Sequence, residues 1–217
     1  MLGLAGTACL LLLSPLAGAS NNMLYSDGTA DAPPAAPDVT GVQVSNDDAG
    51  EVVFRITIPN RAQLAGTDLV SLLLDADGKT GTGCARGIFG AEYALGVVAG
   101  RYVFGRCLRG LWEFGKRPAS FGGSFASSTL TLKANRRDLG GAGRFAFRVG
   151  AAAATRADPA YDFAPDVGAA GWSYEVIAPP QAVMKPPQRR RTACRQRPRG
   201  CKITRRWPGS APQASPA

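Results

Sequence analysis

Histidine is absent from all 217 residues of this chain. Its absence excludes a Ser-His-Asp triad, a Cys-His dyad and histidine ligation of zinc or haem. We therefore expect neither zinc nor haem as a cofactor, and no nucleotide. The 16 acidic residues will contain a pair at glycosidase spacing by chance, so such a pair alone does not indicate catalysis. The sequence predicts a protein that is not an enzyme.

Acidic residues are missing from the stretch between Lys185 and Arg206, which holds ten of the 25 lysines and arginines. The formal net charge of +9 belongs to this stretch, because the other 15 basic residues face 16 acidic ones. Residues 179–217 are also rich in proline, and we expect a disordered basic tail. The tail predicts an anionic polymer or surface as a partner; the alternative is a solvated tail without a specific partner.

Long apolar runs are missing beyond the N-terminal stretch. Residues 1–19 carry no charge, contain the apolar run Cys9–Leu13 and end in the small residues Ala17, Gly18 and Ala19. This pattern predicts a secretory signal peptide that is cut near Ala19. The run is too short for the ~20 apolar residues of a spanning helix. The expected location is therefore secreted or extracytoplasmic, at the cell envelope.

Cysteine is sparse. Removal of the signal peptide leaves four cysteines: Cys84, Cys107, Cys194 and Cys201. An even number in an exported chain favours disulfides over free thiols, which are the alternative. Of the three possible connectivities, proximity in sequence favours Cys84–Cys107 and Cys194–Cys201.

Convincing amphipathic helices are also missing, and the body of the chain has the pattern of strands. Residues 20–38 are polar and rich in proline and alanine, which predicts an extended, partly disordered lead-in. From residue 39 onwards apolar residues alternate with polar ones, as at Val52, Phe54 and Ile56. About nine short strands separated by turn signals predict an all-β fold: an antiparallel, jelly-roll-like β-sandwich over residues 39–178.

An acidic loop lies at the centre of this body. The apolar strand Leu69–Leu74 leads into DADGKTGTG, and a second strand opens at Glu92. Calcium takes six to eight oxygen ligands. The candidate ligands are Asp75, Asp77, Thr80 (or Thr82) and Glu92. The spacing is not that of an EF-hand, and the alternative is a metal-free turn in which Asp75 accepts backbone N–H groups.

Aromatic residues make up only 8% of the chain. Trp112, Trp172 and Tyr174 follow or flank turn residues, and flat aromatic faces suit sugar rings. We expect these three as ligand-binding residues. The alternative is that they fill the core or cover its edge.

Several segments together resemble a known group of proteins. LLLDADGKTGTG followed by GAEYAL resembles the DxDxxxxTG–GA(D/E)Y pattern of exported bacterial β-sandwiches related to family 9 carbohydrate-binding modules and DOMON-like domains. APDVTGVQVSND and DFAPDVGAAGWSYEV resemble the first and last strands of that group, so the resemblance covers about residues 36–177.

The resemblance implies a secreted jelly roll with structural calcium, and non-catalytic binding. DOMON-type haem binding requires axial ligands, and the missing histidine argues against it. We therefore expect an exported glycan-binding module at the cell envelope. The alternative is a purely structural or protein-interaction sandwich without a small ligand.

Overall fold

The computed structural model of the protein describes residues 19–84, 89–153 and 160–177. These ranges form strands and one 3-10 helix, and none of their helices is long and apolar enough to cross a membrane. The strands are β1 (Ala19–Ser26), β2 (Gly41–Asp47), β3 (Glu51–Thr57), β4 (Asp68–Asp75), β5 (Tyr93–Val98), β6 (Arg101–Leu108), β7 (Leu111–Glu113), β8 (Gly122–Ala126), β9 (Thr129–Asn135), β10 (Arg144–Ala153), β11 (Ala160–Ala164) and β12 (Trp172–Glu175), and the helix is η1 (Arg136–Leu139).

The strands form two antiparallel sheets. The five-stranded sheet has the order β1-β2-β3-β9-β8, and the seven-stranded sheet has the order β11-β10-β4-β5-β6-β7. β12 also pairs with β10, beside β11: residues 149–153 of β10 pair with β11, and residues 144–147 pair with β12. One edge of β10 is therefore shared by two short strands that follow each other along the chain.

Alternating apolar residues of the two sheets form the core. Val52, Phe54 and Ile56 of β3 are fully buried, because every second residue of a strand points to the same face. The ring of Phe54 meets two rings of the opposite sheet, with centroids 5.7 Å from Phe145 and 6.0 Å from Phe147. The predicted all-β antiparallel sandwich is confirmed.

The described ranges hold 12 strands where the sequence predicts about nine. The additional strands are β1, β8 and β11; β1 and β8 lack the strong apolar alternation of a core strand, and the alternation in β11 extends over only five residues. β8 begins with two glycines, and the Tyr102 ring of the other sheet occupies the space that a side chain on Gly123 would need. These strands are held by pairing with their neighbours and by packing against them.

The prediction of a partly disordered lead-in is wrong for the part that forms β1. β1 pairs with β2 from Asn21↔Asn46 to Ser26↔Gly41. The Tyr25 ring packs edge-on against Phe147 with centroids 5.0 Å apart, and its hydroxyl donates to the Ser173 carbonyl at 2.6 Å. These long-range contacts order a segment whose own composition is polar.

Two predicted regions lie outside the described residues. They are most of the signal peptide, residues 1–18, and the basic tail from residue 179 onwards, which includes the predicted Cys194–Cys201 pair.

Candidate functional site

The acidic loop begins where β4 ends, at Asp75, and closes at a bridge between Cys84 and Ala91. Gly90 has a φ of +72°, and a Cβ there would lie 2.6 Å from the Cα of Thr80. Only glycine fits such close backbone contact at positive φ. The glycines of this stretch therefore allow the loop to fold back onto itself and bring its carboxylates to the start of β5.

Asp75, Asp77 and Glu92 meet in this loop, with one carboxylate oxygen of each within 4.8 Å of the others. Asp75 is 3% exposed. The Thr82 hydroxyl lies 3.0 Å from Asp77 Oδ1 and 3.1 Å from Glu92 Oε1. Three of the four predicted metal ligands are thus brought together from the end of β4, the loop after it and the residue that precedes β5.

Backbone N–H groups also reach each carboxylate, as the metal-free turn alternative requires. The donors are Gly78 to Asp75 at 2.6 Å, Lys79 to Asp77 at 2.9 Å, and Ala76 to Glu92 at 2.9 Å. Each carboxylate keeps further lone pairs, because an ionised carboxylate has about four acceptor sites. The hydrogen-bonded turn and a cation are therefore compatible with each other.

The electrostatics of the loop favour a positive partner. Burial raises the pKa of Asp75 and of Glu92, and the nearby charge of Asp77 raises both further. The Lys79 ammonium forms no ion pair with these carboxylates; the ion pairs of the described ranges are Arg61–Asp68 and Lys133–Glu51. Within the described residues, Lys79 therefore does not balance the negative charge of the loop through an ion pair.

Thr80 is not part of the group. The hydroxyl that contacts Asp77 and Glu92 belongs to Thr82, two residues later. Sequence reasoning placed either threonine at the site, and the turn formed by the Thr82 N–H and the Lys79 carbonyl selects Thr82.

A pocket of about 440 Å³ opens beside the loop, lined by Asp75, Asp77 and, from β10, Arg144.

The predicted Cys84–Cys107 disulfide is confirmed, with Cα atoms 5.5 Å apart. Cys84 closes the acidic loop and Cys107 belongs to β6. The disulfide therefore fastens the far end of the loop to the sheet.

The predicted ligand-binding aromatics separate into different environments. Tyr174 is 1% exposed, and its hydroxyl donates to Asn46 Oδ1 at 2.9 Å, so its ring cannot serve as a stacking platform and that prediction is wrong. Trp172 is half-buried, with its ring centroid 5.5 Å from Tyr25 and 5.6 Å from Phe147. Both residues pack where β12 closes the sandwich, as the core-filling alternative predicted.

Trp112 lies on the face of the seven-stranded sheet that points away from the core. Residues paired across neighbouring strands share a face. The register places the following side chains on this outer apolar face: Leu69, Ser71, Leu73, Ala94, Gly96, Val98, Val103, Gly105, Cys107, Trp112, Arg148, Gly150, Ala152, Tyr161 and Phe163. The Arg148 guanidinium is covered by the Phe89 ring, 5.8 Å from its centroid.

Two aromatic pairs flank the outer apolar face. Tyr161 and Phe163 of β11 are stacked, with centroids 6.3 Å apart and planes at 15°. On the opposite side the Phe114 ring lies over Gly105, 6.2 Å from the ring of Trp112. Tyr161 is 53% exposed and Phe114 is 50% exposed. Sequence reasoning did not select Tyr161 and Phe163, although their alternation with the buried Asp162 and Ala164 is the signal of a half-buried strand.

No family model, curated protein or solved structure matches this chain. The resemblance to family 9 carbohydrate-binding modules and DOMON-like domains stays a prediction. The functional argument therefore rests on the geometry of the chain itself.

Proposed function

We propose that the protein is an exported, non-catalytic module that binds a glycan on the outer apolar face. The observation that supports this function is the placement of two aromatic pairs, each with one exposed ring, at opposite sides of one sheet face. Exposed large apolar surface on a soluble protein commonly marks an interaction site. Aromatic rings suit a sugar because their faces contact the C–H groups of the ring while the sugar hydroxyls remain solvated.

The middle of the outer apolar face forms a shallow depression between the aromatic pairs, because its side chains are small. Ser71, Gly96 and Gly150 lie in one row across β4, β5 and β10, with Phe163 at the end of that row. Gly105 lies on β6, four strands from β11, and carries the Phe114 ring. Neighbouring strands are ~4.8 Å apart, so the two aromatic pairs are about 19 Å apart across the sheet. This span suits a short oligosaccharide better than a single sugar.

The test is a glycan-array screen of the full chain, followed by calorimetric titration with the best glycan. Tyr161→Ala and Phe114→Ala are each expected to weaken binding about fivefold or more, because each removes an exposed stacking ring worth ~1 kcal/mol or more. The matched control is Leu24→Ala, which removes a side chain that is 73% exposed on the other sheet.

The proposal fails if no glycan binds, or if Leu24→Ala weakens binding as much as the aromatic variants do. It also fails if binding is lost only when core residues are changed, since that would report unfolding.

Export is supported by the Cys84–Cys107 disulfide, because disulfides persist mainly outside the reducing cytosol. Calcium at Asp75, Asp77 and Glu92 stays a prediction within this proposal, in a structural role on the loop that precedes β5. Retention at an anionic polymer or surface by the basic tail stays a prediction as well.

A protein-interaction role is the second candidate, and one specific observation favours it. Leu73, Val98 and Val103 are aliphatic side chains on the outer apolar face, and aliphatic groups do not stack with sugars. Two results together would favour this second function. No glycan on the array binds the protein, and the protein associates with itself in a concentration-dependent way that Val98→Lys abolishes.

A further inference from the structure

A pocket of about 530 Å³ opens at the edge of the seven-stranded sheet, lined by residues of β6, β7, the connection from β7 to β8, and η1. Its size lies in the range of small-molecule sites. Arg106 of β6 pairs with Glu113 of β7, while the neighbouring Cys107 pairs with Trp112. Because successive residues of a strand point to opposite faces, Arg106 and Glu113 point away from the outer apolar face. The pocket is therefore separate from that face.

Three cationic side chains line this pocket. They are Arg106 of β6, with Lys116 and Arg117 of the connection from β7 to β8, and all three residues are exposed. The pocket also contains two carboxylates, Glu113 and Asp138, but neither of them forms an ion pair with the three cations. The cations therefore gather at one cavity without being neutralised by its own acidic residues.

Aromatic rings, not carboxylates, hold the two guanidinium groups. The Arg106 guanidinium lies over the Tyr93 ring, 5.7 Å from its centroid, and that of Arg117 lies over the Phe121 ring at 5.2 Å. Both rings contact the buried Phe104, with centroids 6.1 Å and 5.5 Å away. A ring beneath a guanidinium contacts its flat face and leaves its N–H groups at the edge available to a ligand.

The two carboxylates limit which anions fit. Asp138 Oδ2 accepts the Ser120 hydroxyl at 2.6 Å, and the Asp138 backbone carbonyl accepts Arg106 Nη2 at 3.4 Å. The guanidinium fork matches a carboxylate or a phosphate group. A carboxylate of the pocket accepts hydroxyl donors and repels further negative charge. The lining therefore suits a molecule that carries one anionic group and several hydroxyls.

We propose that this pocket binds a small hydroxylated organic anion: a sugar acid or a sugar phosphate. Arg106, Lys116 and Arg117 surround the anionic group, and Glu113 accepts hydroxyls of the ligand. This site goes beyond the glycan function proposed for the outer apolar face, because the two share no residue. Either proposal can therefore fail without the other.

The experiment titrates the ¹⁵N-labelled full chain with glucuronate and with glucose 6-phosphate at constant ionic strength. The backbone amide resonances of Gly115, Lys116 and Arg117 are followed by NMR, because the basic residues between Lys185 and Arg206 also attract anions and a bulk signal would include them. Saturable shifts are expected, and the probe with the lower Kd identifies the anionic group as carboxylate or phosphate. Glucose, which has no charge, and acetate, which has no hydroxyl, should each bind at least tenfold more weakly.

Variants of the pocket cations are compared with a cation of the same strand. Arg106→Gln should raise the Kd of the better probe at least tenfold, and Lys116→Gln about threefold or more, because each removes a positive partner of the anionic group. Arg101→Gln is the matched control, since Arg101 is an exposed cation of β6 outside the pocket, and it should leave the Kd unchanged. Lys116→Gln keeps the test valid if Arg106→Gln, which also loses its contact with Tyr93, lowers the melting temperature.

The proposal is overturned if neither glucuronate nor glucose 6-phosphate shifts the pocket amides, or if glucose or acetate binds as tightly as the better probe. It is equally overturned if Arg101→Gln weakens binding as much as Lys116→Gln does, since that result would report general attraction of anions. Tyr161→Ala, which tests the outer apolar face, should leave this titration unchanged, so failure of the glycan proposal is distinguishable from failure of this one.

Discussion

At the scale of single residues, Asn46 is the polar group that joins the two sheets. It is 1% exposed in β2, and its side-chain amide donates to the Ile177 carbonyl at 2.8 Å. Its Oδ1 accepts the Tyr174 hydroxyl at 2.9 Å and the Ile177 N–H at 3.2 Å. One buried side chain therefore satisfies three groups near the end of the other sheet.

We expect Asn46→Ala to lower the free energy of unfolding by about 2 kcal/mol or more, because it removes the partner of the Ile177 carbonyl and N–H and leaves the Tyr174 hydroxyl only its longer bond to the Asn21 carbonyl. Urea denaturation measures the change. Asn22→Ala, at an exposed position of β1, is the control and should change stability by no more than about 0.5 kcal/mol. Equal losses in both variants would contradict the role assigned to Asn46.

The titration of Tyr174 predicts how stability changes at alkaline pH. Burial raises its pKa to about 12, and the charge of Tyr25 adds to this effect. The unfolded tyrosine loses its proton near pH 10, so above this pH the unfolded state binds fewer protons than the folded state. Stability is therefore expected to fall as pH rises from about 10 to about 12.

Tyr174→Phe should remove that part of the alkaline decline, although it lowers stability at neutral pH by the loss of one hydrogen bond. Thermal melts across the alkaline range, with phenolate absorbance followed in parallel, provide the measurement. Tyr161→Phe, at an exposed tyrosine, is the control. An unchanged decline in Tyr174→Phe would disprove the assignment.

At the scale of elements, the acidic loop predicts a response to calcium. A ligand that binds only the folded state at a hundredfold excess over its Kd stabilises that state by about 2.7 kcal/mol. Melting temperature should therefore rise with calcium and fall with chelator. Asp77→Asn should reduce the rise, and Lys79→Asp should if anything strengthen it, while Glu113→Gln should behave as the unmodified protein.

Indifference of the unmodified protein to both calcium and chelator would leave the loop as a hydrogen-bonded turn. Lys79→Ala should not destabilise the metal-free protein, because Lys79 has no ion pair with Asp75 or Asp77 in the described residues.

The disulfide is the covalent element of the same region. Its cysteines are 23 residues apart. Closing a loop of this length is worth about 3 kcal/mol by chain entropy. The double variant Cys84→Ser/Cys107→Ser should lose about this amount in chemical denaturation, and the unmodified protein in reductant should match it. Cys194→Ser/Cys201→Ser is the control, and a loss of the same size there would show that this account is wrong.

At the scale of the whole molecule, the two ends of the sandwich are held differently. β1 packs across both sheets through Tyr25, and Asn21 Nδ2 donates to the Glu175 carbonyl at 2.8 Å. A chain that begins at Asp38 loses these contacts and should melt about 10 °C lower or more.

A chain that ends at Pro180 lacks the basic tail and should melt within about 3 °C of the full chain, because the tail has no apolar periodicity. Circular dichroism melts of both truncated chains test the pair. A large decrease in melting temperature when the tail is removed, or no decrease when β1 is removed, would contradict these two predictions.

Sequence reasoning reached the central strands and the acidic loop because their signals are local. The alternation in β3 and the carboxylate and glycine spacing after β4 are visible within a few residues. The sequence analysis missed β1 and β11. These strands lie at sheet edges and are ordered mainly by pairing with a neighbouring strand, which a local sequence pattern does not show. The sequence could not distinguish Thr82 from Thr80 as the residue at the site. The folded turn places the Thr82 hydroxyl beside Asp77, and other conformations of the same loop would have placed Thr80 there instead.

The sequence by itself determined an all-β chain with an acidic loop between central strands, because alternation, turn glycines and neighbouring cysteines act over short separations. Only the tertiary structure decided that Tyr174 is buried, that Tyr161 and Phe163 share a face with Trp112, and that Asp162 accepts the backbone N–H of Val39. The bond between Asp162 and the Val39 N–H joins residues 123 positions apart. Contacts of that range depend on sheet register and closure, which no local pattern specifies.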